Sequence, residues 1–376
     1  MTPRRLRVLH VLPWVTAGGV ERRRLQLARG LDPARFEQHV LCKQARPPLS
    51  DAIVAAGAPL HIIEGAWHPG DLDALGRALQ LVEDLQPDII HGAVFEGMTF
   101  AALLGYLARV PAVIIEETGS SPHRSARGDL LVSALSAISH KTVAISSYVG
   151  RYLDKRSRLS PDKLTVITNG VSFPAALDAA ARAALRAQWG LSDAHVVFGS
   201  AGRVYDDIKR FSDLIRALAH LDAPHARLVI AGDGPDLPAL RTLAASLNIQ
   251  DKVIFLGYVS EMSQVYGCLD VFALVSLNEG FGLVLPEAMS VALPTIGTRV
   301  DAIPDIIDEG VTGLLVPPSS PRAIADAMLW MLTHPAERQQ MGEAGRKRAY
   351  ERFSEARYVE DVKSLYEHVI SNKERQ

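Results

Sequence analysis

Short runs of aliphatic and β-branched residues alternate with longer stretches of helical period along the whole chain. In the first half, residues 7–12, 39–42, 60–63, 88–91, 112–116, 142–146 and 165–168 read as strands. In the second half, residues 195–200, 227–231, 252–257, 271–275, 295–297 and 313–316 do the same. Most of these runs are continuously apolar rather than alternating, as expected of parallel strands covered on both faces. The intervening stretches carry helical stripes; Phe211, Leu214, Ile215 and Leu218 lie on one face of a helix. This β-then-α order from end to end predicts an α/β protein of doubly wound parallel sheets.

The pattern breaks once, over residues 172–192, which are rich in Ala, contain Pro174 and reach Gly190. A linker followed by a helix fits that composition. The expected organisation is a first domain over residues 1–173 and a second over 174–350, with a terminal helix over 351–376 packing back toward the first. Two such domains would face each other across a cleft, and ligands of doubly wound sheets bind beyond the carboxyl ends of the strands.

A length of 376 residues fits two domains at ~100–200 residues each. The apolar share of 48% and charged share of 22% are those of a soluble globular protein with a full core. A net charge of −2 gives no electrostatic footprint for nucleic acid, so no nucleic-acid partner is expected. Cys42 and Cys268 are the only cysteines, too few for a disulfide framework or a four-thiolate zinc site, and they fit a reducing, cytoplasmic compartment. Arg4, Arg5 and Arg7 precede an apolar run, but His10 and Pro13 interrupt it and no small-residue cleavage site follows, so a first strand is expected rather than a signal peptide. No run approaches the ~18 apolar residues of a membrane span.

Four loops that follow strands have the composition of an anion-binding cleft. The first, Thr16-Ala17-Gly18-Gly19-Val20, precedes a helix, and its glycines allow close backbone approach to a phosphate or simply a tight turn. It matches neither the dinucleotide fingerprint nor the Walker lysine motif. The second is Ala201-Gly202-Arg203 followed by Lys209, a planar fork and a point charge that could grip a diphosphate. Asp206, Asp207 and Arg210 crowd the same loop, so solvated surface charge is the alternative. The third, Gly232-Asp233-Gly234-Pro235, is a glycine-rich turn with or without a ligand.

The fourth loop runs Asn278-Glu279-Gly280-Phe281-Gly282-Leu283-Val284-Leu285-Pro286-Glu287. An apolar helix over residues 283–293 is expected to follow, with Pro286 in its first turn. Gly280 and Gly282 leave backbone amides bare at the helix start, a cradle for pyrophosphate. If mostly helical, the eight steps from Glu279 to Glu287 span on the order of 12 Å, enough for one carboxylate to hold a sugar and the other a ribose. A retaining-hydrolase carboxylate pair would need roughly 5 Å; helix capping and plain solvation of the two carboxylates are the alternative for this segment.

These residues resemble the large retaining glycosyltransferase family 4, of the two-domain GT-B architecture. Glu279 and Glu287 match its E-x7-E motif, and Glu-Gly-Phe-Gly with Pro-Glu-Ala is the most specific stretch. Gly202-Arg203 with Lys209, Gly232-Asp233-Gly234, Asn169-Gly170-Val171, residues 312–316 and Gly18-Gly19-Val20-Glu21-Arg22 also match, so the likeness covers nearly the whole chain. The resemblance implies that Arg203 and Lys209 neutralise a leaving diphosphate and that Glu279 contacts the donor sugar. It implies further that the amides of Phe281, Gly282 and Leu283 hold phosphate, that Glu287 accepts from the ribose, and that Tyr258 and Val259 border the base. Gly19 would close over the phosphates from the other domain. The implied donor is a UDP or GDP sugar, with no cofactor and no metal.

Three departures stand out. The Arg203-to-Lys209 spacing is one residue longer than the commonest family spacing. Of a His-x-His pair after the fourth strand only His91 remains, with Ala93 at the second position; His91 is carried forward as a catalytic candidate. Asp301-Ala302 replaces a Gly-Gly pair before Ile-Pro, where Asp301 could alter the sugar pocket or be solvated. Asp71-Leu72-Asp73 has the form of a metal-binding D-x-D, but its place at a helix start favours capping. Glu96, Glu116, Glu117 and His123 are candidates on the acceptor side. Arg22–Arg24 and the cluster Arg151, Lys155, Arg156 and Arg158 could meet anionic lipid or be solvated helix faces.

The expected activity is retaining transfer of a sugar to an acceptor hydroxyl on a glycan, a lipid-linked molecule or a small molecule, as in cell-surface polysaccharide or glycolipid synthesis. The rival readings are a sugar-nucleotide epimerase or hydrolase, and a nucleotide-sugar-binding protein without turnover.

Overall fold

The continuously apolar runs become inner strands of two parallel sheets, since only a strand covered by helices on both faces buries every side chain. The computed structural model describes residues 4–16, 18–68, 70–119, 124–157 and 159–374. The chain divides into two units, Met1–Gly170 with Glu355–Gln376, and Val171–Ser354.

The first unit holds β1 (Leu6–Val11), β2 (Phe36–Cys42), β3 (Leu60–Ile62), β4 (Ile89–Ala93), β5 (Ala112–Glu117), β6 (Lys141–Ala144) and β7 (Leu164–Val166). They form a 7-stranded parallel sheet in the order β3-β2-β1-β4-β5-β6-β7. Strand order reverses between β1 and β4, whose register pairs His10 with His91. Val8, Leu27, Phe36, Ile114 and Val143 share one core with Tyr358, Val362 and Tyr366 of the helix Glu355–Glu374, so the end of the chain is part of this unit.

The second unit holds β8 (Val196–Ala201), β9 (Ala226–Ala231), β10 (Val253–Gly257), β11 (Val271–Leu274), β12 (Thr295–Thr298) and β13 (Gly313–Val316). The order β10-β9-β8-β11-β12-β13 repeats the doubly wound arrangement, with its reversal between β8 and β11. Phe211, Leu214, Ile215 and Leu218 are all buried on the helix Phe211–His220, as their spacing predicts. The Ala-rich stretch forms the helix Ala179–Gln188, capped by the Asp178 carboxylate accepting from Ala181 N–H at 2.7 Å. Arg182 and Arg186 of that helix hold Asp270 at 2.8 and 3.2 Å, at the entry to β11.

Among the strands and the helix after Glu279, two boundaries differ from expectation by three residues or more. β2 begins at Phe36 rather than residue 39, because Gln38 is buried with its polar atoms satisfied. Its amide donates to Leu27 O at 3.0 Å, and its Oε1 meets His10 Nε2 at 3.2 Å. The helix expected over residues 283–293 spans only Val284–Ser290, and Ala292 beyond it takes a left-handed φ of 62°. Among the described residues, no helix is long and apolar enough to cross a membrane.

Candidate functional site

At the reversal point of the second sheet, the loops leaving β8 and β11 diverge, and a doubly wound sheet receives ligands in the crevice between such loops. The loop after β8 carries Arg203 and Lys209; the loop after β11 carries Glu279. Lys209 ends the one-turn helix Asp206–Lys209, which the Asp206 carboxylate ties forward by accepting from Ser212 N–H at 2.8 Å. Leu277 N–H donates to Ile208 O at 2.8 Å and joins the two loops directly. Lys209 Nζ then meets Glu279 Oε2 at 2.5 Å, a charge-assisted pair in which both side chains are mostly but not fully covered. Arg203 is exposed and forms no ion pair among the described residues. Arg210, by contrast, is engaged in two 3.0 Å hydrogen bonds with Asp213.

The glycine-rich turn after β9 has a mechanical role. A Cβ on Gly232 would lie 1.8 Å from Gly202 O, and one on Gly234 would lie 2.4 Å from Val204 O. Gly232 also has a φ of 145°, a region only glycine enters without strain. The turn is therefore pressed against the Arg203 loop, and Val204 N–H donates to Asp233 O at 2.9 Å to lock it there. Gly232 N–H in turn donates to Gly257 O at 2.7 Å, placing exposed Tyr258 and half-buried Val259 next in line along this edge.

In the loop after β11, Phe281 is buried and packs edge-on against Phe353 with ring centroids 5.9 Å apart. Anchored by that ring, Gly280, Gly282 and Leu283 turn the chain into the short helix, with Gly282 at φ 86°. Glu287 on that helix accepts a 2.6 Å hydrogen bond from the hydroxyl of Tyr266. Glu279 is tied by its backbone as well: its N–H donates to Asp301 Oδ2 at 2.8 Å.

Sequence reasoning overlooked Tyr266, because nothing local in Met262–Cys268 marks a tyrosine as the partner of a carboxylate 21 positions further on. It noted Asp301 only as a departure, since a contact across 22 positions has no local signal.

The first unit holds the remaining candidates. Gly18 and Gly19 begin the helix Gly19–Gly30, with Gly18 as its N-cap; Ala17 between Thr16 and Gly18 lies outside the described residues. His91, carried forward as a catalytic candidate, lies in the core of the first unit. It is 1% exposed, its Nδ1 shares a 2.7 Å hydrogen bond with the Tyr366 hydroxyl, and its Nε2 faces Glu116 Oε2 at 3.1 Å. Glu116 is itself paired with Arg24 at 2.8 Å, and both side chains are buried. The ring is thus enclosed by β5 and the helices bearing Arg24 and Tyr366. Burial first, then Arg24, lowers the pKa of His91, and the same causes with His91 lower that of His10. Burial alone would raise Glu116, but the Arg24 guanidinium, followed by His91, holds its carboxyl far below the usual range.

Glu117 is raised by burial against the opposing pull of Arg124, which lies at 2.6 Å. Glu96 is half-buried in the first turn of the helix Phe95–Leu107, and His123 lies outside the described residues. Arg23 and Arg24 are buried, so Arg22–Arg24 do not form an exposed basic patch. Arg156 pairs with Asp129 at 2.9 Å, while Arg151 and Lys155 are exposed; Arg158 lies outside the described residues. Asp71 caps the helix Leu72–Leu85 by accepting from Ala74 N–H at 3.2 Å, the role its position favours.

Comparison with known proteins gives two family matches, which divide near the unit boundary. Residues 17–173 match Glycosyltransferase Family 4, and residues 181–348 match Glycosyl transferases group 1. The N-acetyl-alpha-D-glucosaminyl L-malate synthase of Bacillus anthracis is 32% identical over 187 residues, which cover 50% of this chain and 49% of that protein. The D-inositol 3-phosphate glycosyltransferase of Stackebrandtia nassauensis is 32% identical over 231 residues, covering 57% and 51%. This chain therefore spans about half the length of these two curated relatives. Among solved structures, Anabaena HepE in complex with UDP-glucose superposes with a TM-score of 0.84 at 18% identity, covering 96% of this chain and 100% of that one. At that identity the likeness establishes a shared fold, the GT-B arrangement of two Rossmann-like sheets.

Proposed function

Because the chain belongs to the group 1 glycosyl transferases, with the family 4 match in its first half, we propose that it transfers a sugar from a nucleoside diphosphate to an acceptor hydroxyl with retention of configuration. The observation that carries this reading is the meeting of Lys209 and Glu279 at the reversal point of the second sheet, with exposed Arg203, which forms no ion pair among the described residues, on the loop of Lys209. A phosphate-bearing ligand needs such cations, and a sugar needs a carboxylate that accepts from hydroxyls.

In this reading Arg203 and Lys209 stabilise charge on the leaving diphosphate, where preorganised donors lower a barrier most. Glu279 accepts from the donor sugar. Glu287, oriented by the Tyr266 hydroxyl, accepts from the ribose. Phe281, Gly282 and Leu283 offer backbone amides to the phosphates, and Tyr258 and Val259 border the base. As the bond from the anomeric carbon to the phosphate oxygen breaks, its electron pair goes to the diphosphate. The acceptor oxygen bonds to the same face of that carbon and gives its proton to the departing phosphate oxygen. These two cations do the work of a metal ion, so transfer proceeds in excess EDTA.

UDP-glucose is the first donor to try, since the superposed HepE structure contains it. Acceptors to screen are glycan, lipid-linked and small-molecule hydroxyls, as encountered in polysaccharide or glycolipid synthesis at the cytoplasmic side of a membrane. A thermal-shift screen against UDP, GDP and their sugars selects the donor, and transfer is then measured with the wild type and with Glu279→Ala and Lys209→Ala. Both variants should fold and lose transfer. Wild-type turnover in either one overturns the assignment, and donor consumption that needs no acceptor would mark a hydrolase or epimerase instead.

A further inference from the structure

Both backbone polar groups of Glu279 are held by one dipeptide far away in sequence. Asp301 Oδ2 accepts from Glu279 N–H at 2.8 Å, and Ala302 N–H donates to Glu279 O at 3.4 Å. The same segment is stitched to the loop once more where Thr298 Oγ1 donates to Ser276 O at 2.7 Å. Asp301 adopts a φ of 49°, a left-handed conformation that Asp tolerates better than most residues, and this directs its short side chain back at the neighbouring loop. Asp301 forms no ion pair among the described residues, so its carboxylate is committed to this amide rather than to a cation.

We infer that Asp301 is a positioning residue for Glu279. A loop residue is free to rotate about its own backbone; with N–H and C=O both fixed, the Glu279 side chain leaves the loop in one direction and reaches Lys209. A site must hold its groups to a fraction of an ångström, and it gains that accuracy from supporting hydrogen bonds of this kind. The inference rests on the reading of Glu279 as the sugar-contacting carboxylate.

Two substitutions separate the hydrogen bond from the backbone conformation. Asp301→Gly keeps the left-handed φ at no steric cost but removes the acceptor. Asp301→Asn keeps both the acceptor oxygen and the tolerance of that φ. Hydrogen exchange at the Glu279 amide tests the clamp without any turnover: exchange should be faster in Asp301→Gly and near wild type in Asp301→Asn.

Donor kinetics test its use. With Asp301→Gly, kcat/KM for transfer should fall by about tenfold to about a hundredfold. Affinity for the free nucleoside diphosphate and Tm should stay at wild-type values, because Glu279 meets the sugar and not the nucleotide. Asp301→Asn should restore transfer.

Unchanged exchange in Asp301→Gly overturns the clamp, and faster exchange with wild-type kinetics overturns its positioning role. An equal loss of nucleotide affinity or Tm would make Asp301 a general structural residue. Should Glu279→Gln transfer like the wild type, the reading of the site fails instead, and the exchange experiment still decides the clamp.

Discussion

The Tyr266–Glu287 hydrogen bond shows how one side chain prepares another. Tyr266 is 1% exposed, with its ring packed edge-on near Phe272 and its hydroxyl 2.6 Å from the carboxylate. Removing that hydroxyl leaves the packing intact and takes this hydrogen bond away from Glu287. Tyr266→Phe should therefore raise the KM for the donor by roughly fivefold, the equivalent of one ordinary hydrogen bond of about 1 kcal/mol, with little change in kcat. Steady-state kinetics with the donor varied checks this; a fall in kcat at unchanged KM would place Tyr266 in the chemical step instead. At Lys209 and Glu279 the two charges sit at contact, so removing either one leaves the other in a partly covered place without its partner, and loss of transfer in either variant is the residue-scale signature of the pair.

Among the elements, the loops after β8 and β9 behave as one unit. The closeness of Gly232 to Gly202 and of Gly234 to Val204 means that the glycines serve loop-against-loop packing. Gly232→Ala meets both a backbone at φ 145° and a carbonyl oxygen where its methyl must go. It should cost roughly 2–4 kcal/mol of stability in the second unit and displace Arg203 with the loop. Urea denaturation of the variant gives the first number, and nucleoside diphosphate affinity reports the second effect. The pattern of apolar runs revealed these strands well because each lies inside a sheet covered on both faces. It misplaced the start of β2 because a buried Gln38 with satisfied hydrogen bonds looks polar in sequence and is core in space. The helix after Glu279 stops early for a similar reason: apolar periodicity continues past Ser290, while Ala292 leaves helical geometry.

At the scale of the folded molecule, the first unit has a charged centre. His10, Arg24, His91, Glu116 and Tyr366 come from β1, β4, β5 and two helices far apart in the chain. Arg24→Met would leave the buried Glu116 carboxylate without its guanidinium and with only His91 beside it, a loss of about 3–5 kcal/mol, and Arg24→Met with Glu116→Gln should recover part of it by removing the under-compensated charge. Chemical denaturation of the single and double variants provides the test.

The same centre sets a pH response. Burial, then Arg24, lowers both His10 and His91 in the folded state, so the unfolded chain binds their protons first as pH falls below its ordinary value near 6.5. Stability is then complete above that pH and falls below it, by up to about 1.4 kcal/mol per pH unit for each histidine until its folded pKa is reached. Glu116, depressed in the folded state, adds a further loss as pH drops below its unfolded value of 4.5. The Tm of the first unit should fall between pH 7 and pH 5, more gently in His91→Gln than in the wild type.

Sequence by itself determined what repeats along the chain or lies close together in it. Alternating apolar runs demanded two doubly wound sheets, and the eight-step interval from Glu279 to Glu287 placed two carboxylates on one short segment. Single positions whose meaning depends on burial were not legible. His91 and Glu116 have the composition of acid–base chemistry, and only the packing of helices over β4 and β5 made them core. Lys209 finds Glu279 across 70 positions, and Asp301 holds that residue across 22. Those contacts exist because β11 lies between β8 and β12 in the sheet, so the loops leaving the three strands are neighbours, a relation that no local periodicity encodes.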